Sequence, residues 1–463
     1  MAGRQLLNPC DYLILGQHLA LARRRQGGNV AYMTVDIRGE VDPRLAQSAL
    51  AAALRRTPPT FARLGFTPVG GRACWRWCDS PAAVAAAAAR AYHYADLTGD
   101  ADAASRLTGF FDARYSGNWP MSVGPQVSLE HYALPDRRSR FILRWPHCLM
   151  DAEGAQRFLA DVASGGTPLV DVPADQPPPP PILGPVGEPV DPLREYSWAE
   201  RLRLARCGLR LQGRHRGLEF APLVRASGVP FRGHAAVHRH FDAQETQRIQ
   251  THARNSTPPG AGLYTRYLAA CVLRAVDRVY QSLTTQSPAY CITLPDRVTL
   301  ADRRTGGPVP RPLHGNYLVS PVVAATREEV ADFRRLGETL QRQVTEYRAA
   351  QGDLCQWALL WTASFLHATA QRVLLSLPLG FERLSSGFSC YREVDPPLRT
   401  FLGAEVLDLY GGGPLPTPPG WNPVFSRFGD RLTLSLSWNR PAIPDEVAHR
   451  YLRYIEEECL TPR

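Results

Sequence analysis

The residues with the clearest capacity for chemistry lie where an apolar run ends. The run FILRW at 141–145 predicts a buried strand, and it is followed by Pro146, His147 and, four residues after the histidine, Asp151. Apolar residues then recur at helical spacing over 155–163, which predicts an amphipathic helix. His147 is therefore expected in a strand-to-helix turn. With a fixed ring and a pKa near neutrality, it would be suited to remove a proton from an alcohol or an amine.

A histidine at a strand end can equally be a structural residue that closes a hydrophobic segment, and this alternative stays open. Asp151 favours a functional interpretation, because a carboxylate in a buried turn is costly unless it is paired. The chain contains 53 arginines and no lysine, so only arginine and histidine side chains are available as its cationic partner.

The absence of lysine excludes two large classes of enzyme. No lysine can form a Schiff base with pyridoxal phosphate, and no P-loop lysine can bind a nucleotide. The net charge of +10 fits partners that carry phosphate or carboxylate groups, such as coenzyme A, an acidic carrier protein or an anionic lipid. Because no recognition motif for nucleic acid is found, we expect no nucleic-acid partner.

Other groups of candidate residues give weaker signals. The ten cysteines are scattered, and the pair in CWRWC has no second pair to complete a zinc site, so free thiols are expected. The HRH sequence at 238–240 places two imidazoles on one face of a strand without a third ligand, and we expect no metal. The serines at 385, 386 and 389 lack the GxSxG elbow of a serine nucleophile. The glycines at 411–413 are expected in a loop.

Strands and helices alternate along the chain, which predicts an α/β protein. One helix is expected from Arg327 to Gln351 and another near 355–373. Residues 172–192 contain consecutive prolines, which favour an extended conformation and cannot enter a packed element. We therefore divide the chain into an N-terminal lobe (1–171), a Pro-rich linker (172–192) and a C-terminal lobe (193–463).

The segment after the linker has a second kind of pattern. Trp198, Leu202, Ala205 and Leu209 share one face of a predicted helix, and arginines occupy the others. Such a helix suits packing on the protein body, and it also suits contact with a membrane or a carrier protein. No apolar run is long enough to span a membrane, and the N-terminus lacks a secretory signal, so a cytoplasmic protein is expected.

The HCLMD sequence at 147–151 resembles the HHxxxDG motif of the chloramphenicol acetyltransferase-like superfamily. That superfamily includes nonribosomal peptide condensation domains, wax-ester and diacylglycerol acyltransferases and related acyl-CoA-dependent enzymes. The resemblance extends over nearly the whole chain. LLNPCDYLIL resembles the opening loop and helix, the segment 119–147 resembles the hairpin into the motif, and HGNYLVSP at 314–321 resembles a Gly-Asn segment of the second half.

The resemblance implies two α/β lobes of the chloramphenicol acetyltransferase-like type, arranged as a V-shaped pseudo-dimer with a tunnel between them. The donor thioester would enter from one side and the acceptor from the other. His147 takes the position of the second histidine and would be the general base. Asp151 takes the position of an aspartate that forms a structural salt bridge with an arginine, for which Arg303 is favoured over Arg304 and Arg297.

Asn316 and Ser389 are candidates to line the tunnel, and Asn316 could equally cap a turn. Two positions depart from the family pattern. Pro146 replaces the first histidine, which is not the base. Ala152 replaces the glycine after the aspartate, and alanine would carry a penalty if the backbone there required a positive φ or a close approach.

We therefore predict an acyltransferase that moves an acyl group from a coenzyme A or carrier-protein thioester to a hydroxyl or amine of a small molecule or lipid. No bound cofactor is expected, since acyl-CoA or acyl-phosphopantetheine would be the co-substrate. Two alternatives are a non-catalytic condensation-like protein that binds a carrier protein or acyl chain, and a free-standing condensation enzyme that joins two carrier-bound substrates. We expect a monomer, and a peripheral membrane contact stays open.

Overall fold

The computed structural model describes most of the chain. The described residues are 2–23, 28–67, 71–100, 102–115, 119–165, 190–213, 215, 218, 233–260, 262–283, 287–301, 307, 309, 312, 314–366, 384–394, 396–413 and 419–462. Most of the predicted linker, 172–192, lies outside these ranges, so the division of the chain into two lobes at this linker stays a prediction. Within the ranges, no helix has the length and apolar character needed to cross a bilayer.

The N-terminal half alternates strands with helices that begin at capping residues. Its elements are β1 (Ala2–Leu6), α1 (Pro9–Arg23), β2 (Val30–Arg38), α2 (Pro43–Arg56), β3 (Arg63–Phe66), β4 (Ala73–Cys78), α3 (Pro81–Ala91), β5 (Tyr92–Asp96), α4 (Ala103–Tyr115), β6 (Ser128–Leu134), β7 (Arg138–Pro146) and α5 (Ala152–Ala163). Asp42 caps α2 by accepting a hydrogen bond from the Arg44 N–H, and Ser80 caps α3 through the Ala83 N–H. Each of these caps fixes the residue at which its helix begins.

The C-terminal half contains longer helices and a second set of strands. Its elements are α6 (Trp198–Gln212), β8 (Gly233–Phe241), α7 (Ala243–Ser256), α8 (Leu263–Ser282), β9 (Ala289–Thr293), β10 (Asp296–Arg297), β11 (Leu318–Val319), β12 (Val322–Thr326), α9 (Arg327–Ala331), α10 (Phe333–Ala349), α11 (Gly352–Ala363), β13 (Ser389–Tyr391), β14 (Thr400–Phe401), β15 (Ala404–Gly412), β16 (Trp421–Phe428), β17 (Arg431–Arg440) and α12 (Asp445–Leu460). The predicted alternation of strands and helices is confirmed.

The largest sheet combines strands from both halves. Its order is β14–β15–β2–β7–β6–β5. β2 pairs with β7 on one side and with β15 on the other, both antiparallel. Leu143, Val35 and Phe158 belong to the hydrophobic core of this sheet and its helices. The C-terminal half therefore completes the sheet that the N-terminal half begins.

A second sheet has the order β13–β16–β17–β8 and carries its own hydrophobic core. α8 is the central helix of this core, because most of its residues, including Leu268, Val272 and Val276, are fully buried. The two sheets meet through polar contacts. His240 Nδ1 lies 2.9 Å from Asp408 Oδ2, which joins β8 to β15.

The predicted helix from Arg327 to Gln351 is wrong in one respect, because the chain breaks it at Asp332. The Asp332 carboxylate accepts hydrogen bonds from the N–H groups of Arg334 and Arg335, so it ends α9 and caps α10. The helix predicted near 355–373 is present as α11, which begins at Gly352 and ends at Ala363, and residues 367–373 lie outside the described residues.

A buried ion pair on the hairpin β6–β7 provides a test of this packing. Glu130, whose side chain is fully buried, pairs with Arg144, whose side chain is 8% exposed. Glu130→Gln should lower the free energy of unfolding by about 3–5 kcal/mol, because it leaves the arginine charge buried without its counter-charge. Urea unfolding measures this loss. The matched control, Glu405→Gln, removes the exposed pair with Arg38 and should cost at most about 1 kcal/mol. Equal losses in both variants would contradict the expectation.

Candidate functional site

His147 stands at the end of β7, in a turn that leads into α5. The last residue pair between β2 and β7 is Val30 with Pro146. Immediately after it, the His147 N–H donates a hydrogen bond of 2.8 Å to the Asn29 carbonyl. The indole N–H of Trp145 donates to the Met150 carbonyl at 2.8 Å, which closes the turn. The strand-to-helix turn predicted from the sequence is therefore present.

The imidazole of His147 borders a cavity and is otherwise enclosed by protein. This enclosure lowers the pKa of His147, although its own carbonyl group, the Asp151 carboxylate and Asn316 oppose the shift. The ring is therefore neutral at pH 7 and has a nitrogen lone pair available. Nδ1 is buried. This arrangement leaves Nε2 as the atom that can exchange a proton with a molecule in the cavity.

The backbone of the catalytic candidate is held by Asn316. Its side-chain amide donates a hydrogen bond of 2.7 Å to the His147 carbonyl and another of 2.8 Å to Asp11 Oδ1. The Asn316 backbone N–H also donates to Asp11 Oδ1, at 2.7 Å. Asn316 therefore connects the opening segment of the chain to the turn that carries His147.

Asp11 is fully buried beneath this connection. Burial raises the pKa of Asp11 to about 8, against the hydrogen bonds that it accepts from Asn316 and from the Asn8 N–H. Gly315 completes the packing with a φ of +96°, and a Cβ at this position would lie 2.7 Å from Asn8 Nδ2. A side chain is thus excluded by both the backbone conformation and the available space.

Asp151 is buried and caps α5 by accepting a hydrogen bond of 3.0 Å from the Gly154 N–H. Arg303 and Arg304, two of its predicted arginine partners, lie outside the described residues. Arg297, the third candidate, forms an ion pair of 3.0 Å with Glu153, in the first turn of the same helix. The structural role of Asp151 as a helix cap is therefore defined, and its pairing with Arg303 stays a prediction.

The two departures from the family motif fit this local structure. Pro146 ends β7 beside Val30, where the strand stops. Ala152 is the first helical residue of α5 and is absent from the residues with positive φ. Alanine is a favourable residue in a helix, so the penalty that a positive φ would bring does not arise at Ala152.

The cavity next to His147 has a volume of about 680 Å³ and is walled by both halves of the chain. Asn316 and Ser389, the two candidates for tunnel lining, both border it. The apolar part of its wall contains Leu13, Ile14, Ala31, Met33, Trp145, Leu318, Val319, Val322, Leu384, Phe388 and Val424. This lining can bury an aliphatic or aromatic group, and it adjoins the histidine that could exchange a proton.

The other candidate groups have structural contacts. His238 Nδ1 lies 3.0 Å from Ser435 Oγ, and among the described residues no group of histidine, cysteine or acidic side chains is arranged to hold a metal ion. The prediction that the glycines at 411–413 form a loop is wrong for the first two, which end β15. A Cβ at Gly411 would lie 2.3 Å from the Tyr32 carbonyl oxygen, so the close strand pairing explains this glycine.

Sequence reasoning missed the part played by Asn8, Asp11 and Gly315. The opening segment LLNPCD was recognised as similar to a family loop, but no periodic or spacing signal connects it to positions 305 residues later. An aspartate three residues after an asparagine was the available hint, because this pair forms a local turn in which the Asp11 N–H donates to Asn8 Oδ1.

Comparison with known proteins identifies the fold. No protein-family model matches the chain, and no curated protein matches it in sequence. Solved structures do match over 99% of the chain. One is the first condensation domain of the calcium-dependent antibiotic synthetase in complex with a substrate analogue, with 15% identity, a TM-score of 0.66 and 97% of that domain covered.

One further match is named as an acetyltransferase, and another is a condensation domain in complex with C8-CoA. The trichothecene 15-O-acetyltransferase of Fusarium sporotrichioides has 13% identity, a TM-score of 0.68 and 95% coverage of its chain. A mutant starter condensation domain of rhizomide synthetase in complex with C8-CoA has 14% identity, a TM-score of 0.61 and 96% coverage. The chain therefore has the chloramphenicol acetyltransferase-like fold of condensation domains, as the sequence resemblance predicted.

The buried carboxyl of Asp11 gives this site a testable dependence on pH. Between pH 6.5 and about 8, the folded protein keeps a proton on Asp11 that the unfolded chain has lost. The contribution of Asp11 to the free energy of unfolding should therefore fall as pH rises through this window, by up to about 1.4 kcal/mol per pH unit. Buried histidines with a lowered pKa, His147 among them, contribute a slope of opposite sign near pH 6.5. The difference between wild type and a variant of Asp11 isolates the contribution of the carboxyl group.

Asp11→Asn should remove this contribution, because asparagine does not titrate. Urea unfolding of wild type and variant across the window measures the difference between the two slopes. Asp79→Asn, which changes an exposed carboxylate, is the matched control and should keep the wild-type slope. Parallel slopes for wild type and Asp11→Asn would show that Asp11 is ionised throughout this window.

Proposed function

We propose that this protein is an acyltransferase in which His147 is the general base. The observation that carries the proposal is the position of the His147 imidazole at the wall of an apolar cavity between the two halves of the chain, where burial lowers its pKa. The fold shared with condensation domains and an acetyltransferase supports the same class of reaction. The lobes would form a V, and the cavity would be the middle of a tunnel that both substrates enter from opposite sides.

The reaction would proceed by direct transfer. Nε2 of His147 would remove the proton from the acceptor hydroxyl or amine, whose oxygen or nitrogen attacks the thioester carbonyl. The tetrahedral intermediate would collapse with cleavage of the carbon–sulfur bond, and the imidazolium would return its proton to the departing thiolate. The products are an ester or amide and a free thiol. Base catalysis of this kind contributes typically about 10²- to 10⁴-fold, and the positioning of both substrates would supply the rest.

The donor would be an acyl-CoA or an acyl group on the phosphopantetheine of a carrier protein. The solved complex of a starter condensation domain with C8-CoA supports an acyl-CoA. The apolar walls of the cavity favour an aliphatic or aromatic acyl group or acceptor. Asp151 would shape the turn through its helix cap and a salt bridge with Arg303, and Asn316 would hold the His147 backbone.

A second candidate function is condensation of two carrier-bound substrates. The observation that favours it is the match to condensation domains over 99% of the chain. The two candidates differ in their substrates, since the condensation reaction requires carrier proteins on both sides. Incubation with an acyl-CoA and small alcohols gives product only in the first case.

Removal of the imidazole tests the assignment. His147→Ala should lower kcat/KM for acyl transfer by at least about 10²-fold, while the near-ultraviolet circular dichroism stays that of the folded protein. His215→Ala is the matched control, because His215 borders the same cavity and its Nε2 contacts the Val322 carbonyl. The control should alter KM more than kcat. Unchanged turnover in His147→Ala would refute the assignment.

The pH profile gives a second test that needs no variant. Burial lowers the pKa of His147, so the active, neutral form of the base predominates at pH 7 and is lost as the pH falls. A plot of kcat/KM against pH should therefore show an acidic limb with an apparent pKa below 6.5. An apparent pKa above 6.5 in the free enzyme would contradict the described environment of the ring.

A further inference from the structure

Exposed apolar side chains cluster on helix α6, on helix α11 and in the turn that follows α11. Trp198 is 64% exposed and Phe365 56%, with Leu202 and Leu366 beside them at more than 40%. We call these four residues, with the partly exposed Trp361, the α6–α11 patch. Scattered exposed leucines are ordinary, but a cluster with two large aromatic residues exposed by more than half indicates contact with an apolar partner.

The aromatic rings of the patch pack on one another, which fixes their positions before any partner binds. The ring centroids of Trp198 and Trp361 are 4.9 Å apart, and those of Trp361 and Phe365 are also 4.9 Å apart. The Arg201 guanidinium lies 4.9 Å from the Trp361 ring. A preformed patch loses little side-chain entropy on binding.

Positive charge lies beside the patch on α6. α6 carries four arginines, of which Arg203, Arg206 and Arg210 are exposed. Its one acidic residue, Glu200, is engaged in the capping box with Ser197. The combination of exposed tryptophan, phenylalanine and leucine with arginines fits the interface of a bilayer with anionic headgroups. Aromatic rings lie at the level of the headgroups there, and guanidinium groups contact phosphates.

The same two helices form part of the cavity wall. Leu209 on α6 is 55% exposed and also borders the cavity, as do Leu359 and Leu360 on α11. The two helices that carry the α6–α11 patch therefore also supply apolar side chains to the cavity beside His147. A molecule with a long apolar group could pass from a bilayer into the cavity along these helices without exposing that group to water.

We propose that the α6–α11 patch docks on anionic lipid surfaces and that the cavity takes an apolar substrate directly from the bilayer. The second part rests on the proposed acyltransferase function, and the first does not. An acidic carrier protein would also be attracted by the arginines. The two exposed aromatic rings favour the lipid surface, because a bilayer interface accommodates indole and phenyl groups over the whole patch.

Vesicle sedimentation tests the docking. The full-length protein should bind vesicles of phosphatidylcholine mixed with phosphatidylglycerol more tightly than vesicles of phosphatidylcholine alone, and added salt should weaken the binding. Trp198→Ser combined with Phe365→Ser should abolish binding to both. Arg203→Gln with Arg206→Gln should weaken binding to the anionic vesicles about fivefold for each charge removed.

The control variant is Leu45→Ser with Val123→Ser, which removes exposed apolar side chains elsewhere on the surface and should bind as wild type. His147→Ala should also bind vesicles as wild type, so docking and turnover can fail independently. The proposal is overturned if wild type binds neither vesicle, or if the Trp198/Phe365 double variant binds as well as wild type. Elution of wild type as a dimer that the double variant converts to a monomer would also overturn it.

Transfer activity tests the substrate route. With a donor and acceptor that both dissolve in water, the Trp198/Phe365 variant should keep the wild-type rate, because neither residue borders the cavity. With a long-chain substrate held in anionic vesicles, the variant should lose at least about tenfold in rate, following its loss of binding. Equal losses with both substrates would indicate a folding defect and contradict the route.

Discussion

The position of the candidate base depends on one buried amide. The Asn316 side chain donates to the carbonyl of His147 and to the carboxyl of Asp11. One side-chain nitrogen therefore joins residues that are 169 and 305 positions away from it in the sequence. Each hydrogen bond contributes only about 1 kcal/mol to stability. The arrangement matters for function because the His147 carbonyl fixes the backbone from which the imidazole projects, and a general base requires a defined distance to its substrate.

The buried Asp11 has a cost and a benefit. A carboxyl removed from water is unfavourable unless its oxygens are satisfied, and here N–H groups from Asn8 and Asn316 provide the hydrogen bonds. The same desolvation that raises the pKa of Asp11 also lowers the pKa of the nearby His147. Burial disfavours the charged form of both groups. It therefore raises the pKa of the acid and lowers the pKa of the base, and both groups tend toward their neutral forms at pH 7.

Much of the fold could be predicted from local patterns. The apolar run before His147, the helical spacing after it and the caps at Asp42 and Ser80 all act within a few residues, and the corresponding elements are present. The break at Asp332 was missed because an amphipathic pattern continued across it, although the aspartate itself was the signal for a new helix. Sequence patterns therefore predicted the elements whose formation depends on residues close together in the sequence.

The site was predictable only in part. The motif identified His147 and Asp151, and the resemblance placed Asn316 near them. Neither revealed that Asp11 holds Asn316, because that contact exists only after the opening segment and the second half have packed together. The strand position of Gly411 also depends on a contact between distant parts of the sequence. The carbonyl that leaves no room for a side chain there belongs to Tyr32, which lies almost four hundred residues earlier in the chain.

The pairing of β15 with β2 has a consequence for biosynthesis. When the ribosome has released the N-terminal half, β2 has its neighbour β7 but still lacks β15, which is encoded more than 360 residues later. During that interval one edge of a largely buried strand presents unpaired N–H and C=O groups, the kind of edge that recruits strands from other chains. If the N-terminal half were expressed alone, this edge of β2 would stay unpaired. A protein split into its two halves should therefore be prepared by co-expression of both halves.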